Sequence, residues 1–274
     1  MTARGRFVAR LVTMLIALAG FVTAGALPAA ADNSDTVPYV ALGDSYAAGL
    51  GGGNESGLCL QSPNGYPYLL DSKRPIDLRA NAACTGASTS EVIGQLSELN
   101  QDTELVTLTV GAANLNLSGV LTACTAVPPV GCQDAINFAV AQLAGLGGSL
   151  SNLYTQVAGT APNALIVVTG YPSLFKIVPG DPNAAIKDQI NDAIGLLNST
   201  IQQAVAAAEG AGVNIVYVDV TAEFRGHGIG SKVPFINSDG LGAFHPNADG
   251  YGVYARAIFA AIRSAGLDDD EQVA

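Results

Sequence analysis

Tyr39-Val-Ala-Leu-Gly-Asp-Ser-Tyr-Ala-Ala-Gly49 opens as a short apolar run, Tyr39–Leu42, and then loosens through Gly43-Asp44-Ser45-Tyr46 into small residues. Such a run reads as a buried strand that delivers a serine to the rim of a sheet. Four more β-rich runs follow, at Ile76–Ala82, Leu105–Val110, Ala164–Thr169 and Val213–Val220. Val106-Thr-Leu-Thr-Val110 and Leu165-Ile-Val-Val-Thr169 are nearly apolar throughout, as strands covered on both faces must be. Helical patterns alternate with the runs, at Ser88–Leu99, Ala135–Val157, Asn183–Glu209 and Ala248–Ala265. Gly145-Leu-Gly-Gly148 is a candidate break in the second of these, while Asn247 is placed to cap the last and Gly266 to end it.

This alternation predicts an α/β fold, a three-layer α/β/α sandwich around a central five-stranded parallel sheet. Ligands meet such sheets at the carboxyl ends of the strands. That edge holds Ser45 after the first run, Thr85-Gly86-Ala87 after the second and Gly111 to Asn114 after the third. Leu50-Gly-Gly-Gly-Asn54 reads as a flexible loop beside it.

Residues 1–31 stand apart from the fold. Arg4, Arg6 and Arg10 precede the mostly apolar Leu11–Leu27, and Ala29-Ala-Ala31 offers small residues for cleavage, the pattern of an export signal peptide. Pro28 and these alanines follow at once without a charged stop-transfer cluster, which disfavours an uncleaved anchor. The rest, 32–274, fits one large domain, with 268–274 an acidic, solvated tail. The chain carries 12 Lys and Arg against 23 Asp and Glu, a surface that repels nucleic acid and anionic membranes at long range. Four cysteines in an exported chain read as two disulfides. Of three possible connectivities, Cys59–Cys84 and Cys124–Cys132 is preferred, because each closes a local loop without crossing the other. A metal site is the rival reading, but the chain has no Cys-x-x-Cys pair and both histidines are remote.

A serine nucleophile needs an adjacent base. The chain offers only His227 and His245. His245 lies in Gly242-Ala-Phe-His-Pro-Asn247, where Pro246 keeps it out of the following helix. His227, between Gly226 and Gly228, reads as an exposed loop residue or part of a cleft rim. Serine at the first strand end, glycine and asparagine at the next two, and histidine before the final helix form a specific combination. The pattern is not the Gly-x-Ser-x-Gly elbow, since Ala47 occupies the second glycine position.

Across nearly the whole of 32–274 the chain resembles the SGNH (GDSL) hydrolase family, in particular its secreted actinobacterial esterase and lipase branch. Gly43-Asp-Ser-Tyr46 matches the first block, Asn81-Ala-Ala-Cys-Thr-Gly-Ala-Ser-Thr89 looks like the second, Val106 to Leu115 resembles the third, and Phe244-His-Pro-Asn247 matches the last. The resemblance implies a flavodoxin-like SGNH hydrolase fold with Ser45 as nucleophile and His245 as base. It also implies an oxyanion site made by the N–H groups of Ser45 and Gly86, and the two local cysteine pairs fit the same branch. Asp44 would then support the serine turn and Tyr46 would be structural or pocket-lining.

Two positions depart from the family pattern. Its third block usually reads Gly-Gly-Asn-Asp; here Ala113 takes the asparagine's place and Asn114 the next one. Either Asn114 reaches the oxyanion from a shifted turn or the side-chain donor is absent, and Asn114 is carried as the candidate. The family often places aspartate three residues before the histidine, where this chain has Gly242. The resemblance then implies a Ser–His dyad, with the carbonyl of Gly242 or Ala243 orienting the imidazole. Asp239, the nearest upstream carboxylate, sits in what reads as an ordinary turn.

The expected activity is that of a secreted serine esterase or lipase acting through an acyl-enzyme. It would act as a monomer on small-molecule or lipid esters, with no metal or organic cofactor, no nucleic acid partner and no stable membrane insertion. The alternative is a non-catalytic extracellular binding protein of the same fold for acylated glycans or lipids, which ester turnover would exclude. With no Trp for a sugar platform, acyl lipids or simple esters are favoured over polysaccharide esters. The loop at Gly51–Gly53 and the region Thr122–Cys132 are candidates to line or cover an apolar groove.

Overall fold

The computed structural model describes residues 36–126 and 128–267; the expected signal peptide and acidic tail lie outside the described residues. Strands β1 (Val37–Gly43), β2 (Ile76–Asn81), β3 (Leu105–Thr109), β4 (Leu165–Thr169) and β5 (Ile215–Val218) form one sheet in the order β2-β1-β3-β4-β5. Every pairing is parallel. Each expected run becomes a strand, its ends moved by no more than two residues.

The order of the strands positions the site. The chain adds β2 on one side of β1, then crosses back to add β3 on the other. That reversal opens a crevice beyond the carboxyl ends of β1 and β3. β3 and β4 are buried at every position. Their threonine hydroxyls therefore need internal partners. Thr107 lies 2.6 Å from the Tyr39 hydroxyl, and Thr109 lies 2.9 Å from that of Tyr66 and 2.6 Å from Thr169.

The helices are α1 (Ser45–Ala48), α2 (Tyr66–Asp71), α3 (Thr89–Gln95), α4 (Leu117–Thr125), α5 (Cys132–Thr160), α6 (Ala184–Gly210) and α7 (Ala248–Ser264), with a 3-10 turn at Leu96–Glu98. One group gathers α3, α4 and α6 on α5; another gathers α1 and α7 on α2. The break expected at Gly145-Leu-Gly-Gly148 does not occur, and α5 runs through it. Glycine costs a helix about 1 kcal/mol against alanine. Here Leu146 and Leu150 are buried on the same stretch, and a Cβ on Gly147 would lie 3.9 Å from Thr200 of α6. Close packing of two long helices offsets the local preference. Asn247 caps α7, its side-chain oxygen accepting from Gly250 N–H at 3.0 Å, and Gly266 follows the helix at φ +77°.

Both preferred disulfides form. Cys59–Cys84 pins a surface loop to the segment leaving β2, and Cys124–Cys132 ties the end of α4 to the start of α5.

Candidate active site

Gly43 makes the serine turn possible. Its φ is +133°, and a Cβ there would fall 2.2 Å from the Thr109 carbonyl oxygen of β3. Only glycine lets β1 lie so close to its neighbour at this point. The Gln95 side chain closes the turn, accepting from Gly43 N–H at 2.8 Å and donating to its carbonyl at 2.9 Å. Asp44 then caps α1 by accepting from Tyr46 N–H at 2.9 Å. Ser45 is left half-buried at the helix start, at the mouth of the crevice.

His245 arrives from the far end of the chain. A short bridge pairs Ile236 with Pro246, and Phe244 takes φ +66°, rare for a bulky residue. The Phe244 carbonyl accepts from the Tyr46 hydroxyl at 2.7 Å, which fastens the histidine loop to the serine turn. Asn237 adds a second tie, donating to the carbonyls of Gly51 at 3.0 Å and His245 at 3.2 Å. The loop read as flexible is thus engaged: Glu55 accepts from the N–H groups of Gly51 and Gly53 at 2.9 Å, and Leu50 is buried. It backs His245 and does not line the cavity in front of it.

These ties bring His245 Nε2 to 2.8 Å from Ser45 Oγ. The other ring nitrogen, Nδ1, lies 2.9 Å from the Ala243 carbonyl. A carbonyl only accepts, so Nδ1 carries the proton and Nε2 faces the serine as an acceptor. Burial lowers the pKa of His245 below the ordinary histidine value, and the bond to Ala243 opposes that shift. Asp239 is turned elsewhere, accepting from its neighbour Ser238 at 3.0 Å. His227 is half-buried, stacked on Phe235 at 3.9 Å and bonded to the Val233 carbonyl at 2.7 Å.

Ser45 and His245 open onto a cavity of about 270 Å3, lined also by Thr85, Gly86, Ala112, Ala113 and a mainly apolar far wall. Gly86 has φ +85°, and nothing lies within 4 Å of where its Cβ would be. Glycine here serves the backbone conformation. Among the described residues, none accepts from the N–H of Ser45 or of Gly86.

Asn114 is the correction. It is not among the residues that line the cavity. Its side chain is spent on Thr89 at the start of α3, accepting from the Thr89 N–H at 3.0 Å and donating to its hydroxyl at 2.9 Å. The residue facing the cavity from this turn is Ala113, which has no polar side-chain atom. In this arrangement the Asn114 amide is committed to Thr89 and does not face the cavity.

Sequence reasoning passed over two features. The α4 residues Leu117 and Leu121, just before the candidate region Thr122–Cys132, form part of the cavity wall. Tyr171, just beyond β4, donates to Asp44 at 2.5 Å, and its oxygen accepts from Ala112 N–H at 3.2 Å. It joins the serine turn to the turn after β3. Burial pushes the Asp44 carboxyl up to about 7, against the opposing hydrogen bonds from Tyr171 and Tyr46. Tyr171 stands at a strand's carboxyl end, which is the one signal that could have found it.

Residues 41–253 match the GDSL-like Lipase/Acylhydrolase family. Lipase 1 of Streptomyces coelicolor is 35% identical over 248 residues, covering 85% of this chain and 88% of that protein. Among solved structures, the extracellular lipase of Streptomyces rimosus superposes with a TM-score of 0.76 at 30% identity, covering 82% of this chain and 100% of that one. Phospholipase A1 of Streptomyces albidoflavus gives 0.74 at 33% identity, covering 82% and 99%.

Proposed function

Because the chain belongs to the GDSL-like lipase/acylhydrolase family, we propose that it is a secreted carboxylic ester hydrolase working through a Ser45–His245 dyad and a covalent acyl-enzyme. The observation that carries this reading is the 2.8 Å approach of His245 Nε2 to Ser45 Oγ, with Nδ1 held by a backbone carbonyl. His245 takes the proton as Ser45 Oγ attacks the ester carbonyl. The imidazolium keeps its Nδ1–H on the Ala243 carbonyl, whose dipole takes the place of a triad carboxylate. The N–H groups of Ser45 and Gly86 donate to the tetrahedral oxyanion. His245 then protonates the leaving alcohol, and water, activated by the same imidazole, releases the acid. Asn114 has no part in this scheme.

All these groups come from one chain, so the proposed working unit is a monomer. Export with loss of residues 1–31 is part of the proposal, leaving 32–274 as the mature domain. Two disulfides suit an oxidising compartment, and the Streptomyces rimosus relative is an extracellular lipase. Among the described residues, no helix is long and apolar enough to cross a membrane. A non-catalytic binding role is not favoured, since it leaves the tautomer and spacing of His245 and Ser45 without a use.

The test is turnover of a short-chain chromogenic ester. Ser45→Ala and His245→Ala should each lower kcat by at least about a thousandfold. An active-site serine label should modify Ser45 alone. Wild-type turnover by folded Ser45→Ala would end the proposal.

A further inference from the structure

A second cavity adjoins the first. It is an open groove of about 730 Å3 on the β2 and α3 side, and it shares Thr85 and Gly86 with the cavity that holds Ser45 and His245. The two differ in chemistry. The inner slot beyond the serine is walled by Leu117, Leu121, Leu174 and Phe244. The outer groove is lined by Ser97 and the exposed Glu91 and Glu98, while the Gln61 and Gln95 side chains beside them are held by backbone groups of the protein. Among the described residues, no Lys or Arg lines either one. Arg79, on neighbouring β2, is paired with Asp77 at 2.8 Å.

We infer that the slot takes the acyl chain and the groove takes the alcohol part of the ester, and that the groove selects uncharged polyol esters over phosphorylated ones. The inference rests on the proposed esterase site. Gly86 sits where the two cavities meet, so a carbonyl oxygen on its N–H straddles both. An acyl chain gains most by leaving water on the more apolar side, the inner slot. A polyol can donate to the Glu91 and Glu98 carboxylates on the other. A phosphate monoester brings a charge of about −1.5 to −2 at neutral pH. It would meet two carboxylates and no cation to pair with, which opposes binding.

The matched substrates are 1-octanoylglycerol and 1-octanoylglycerol 3-phosphate, alike in acyl chain and glycerol. At low ionic strength kcat/KM should favour the uncharged ester by about tenfold or more. The ratio should shrink in high salt, where charge repulsion is screened. Glu98→Lys, on an exposed side chain, should reduce the ratio severalfold by raising turnover of the phosphorylated ester. Equal or better turnover of the phosphorylated ester by the wild type overturns the inference. So does a ratio indifferent to both salt and Glu98→Lys, or failure on both octanoylglycerols while short soluble esters are cleaved. Failure on every ester, the short ones included, removes the esterase reading beneath it as well.

Discussion

The turn after β1 and the turn after β3 stand side by side at the crevice and are built alike. Each carries a glycine at nearly the same φ, Gly43 at +133° at the end of β1 and Gly111 at +136° just beyond β3. The first turn then presents Ser45 to the cavity, and the second presents Ala112 and Ala113. Strand-end geometry is thus shared where chemistry is not. The backbone makes a place at the crevice, and the side chain set there decides whether that place reacts, donates or only fills space.

The two glycines also differ in what they guard, and substitution should separate them. A Cβ at Gly43 meets the Thr109 carbonyl oxygen at 2.2 Å, a backbone atom that cannot rotate away. A Cβ at Gly111 meets the end of the Leu197 side chain at 3.1 Å, which can. Both variants carry the strain of a positive φ, about 1–3 kcal/mol. Gly43→Ala adds overpacking against backbone, about 1–3 kcal/mol more, for a total of about 2–6 kcal/mol. Urea unfolding should rank Gly43→Ala well below Gly111→Ala, with activity lost in the first. Equal losses would mean that the close approach of β1 to β3 is not what Gly43 serves.

Much of this was legible beforehand, and the exceptions share a cause. β3 and β4 were readable because strands buried on both faces must be apolar along their length. The placement of Ser45 and His245 at the crevice was readable because each sits in a short distinctive context, at a strand end or before a helix. α1, α2 and α4 were missed because four to nine residues carry too few turns to show a period. That omission hid Leu117 and Leu121, and with them the slot wall. The unbroken α5 shows packing overriding a local signal. The carbonyl that meets His245 Nδ1 could be narrowed only to Gly242 or Ala243, because a carbonyl has no sequence signature of its own. Asn114 was misplaced because residue type alone cannot say which way an amide turns, and Thr89 claims both of its polar atoms.

Asp44 and Tyr171 couple the two turns, and pH should expose that coupling. Asp44 is fully buried and its carboxyl is pushed up to about 7, above the ordinary value near 4 that it regains on unfolding. Between about pH 4 and pH 7 the folded protein therefore holds a proton that the unfolded chain has released. Stability from this group is full below about pH 4, falls as pH rises through the window and levels off above about 7. The loss is at most about 4 kcal/mol. Asp44→Asn cannot titrate, so the difference in unfolding free energy between wild type and variant should slope across that window, with the wild type losing ground as pH rises. A difference that stays flat from pH 4 to 8 would show that Asp44 titrates alike folded and unfolded.

The smallest expected effect bears most directly on what the second turn lacks. If the turn after β3 keeps the geometry of a donor site and has lost only the donor, Ala113→Asn should put an amide beside the oxyanion. Removing such a donor from an acyl-transfer enzyme costs a hundred- to a thousandfold in kcat. Restoring one to a site not built around it should return less, about tenfold for an acetyl ester. The new amide also takes space and polarity in the slot, so the gain should shrink as the acyl chain lengthens, and the ratio of octanoyl to acetyl turnover should fall. A rise for the acetyl ester with a fall in that ratio would show that Ala113 trades transition-state stabilisation for acyl room. A uniform loss for both esters would show that this turn, for all its likeness to the first, does not aim its side chain at the reacting carbonyl.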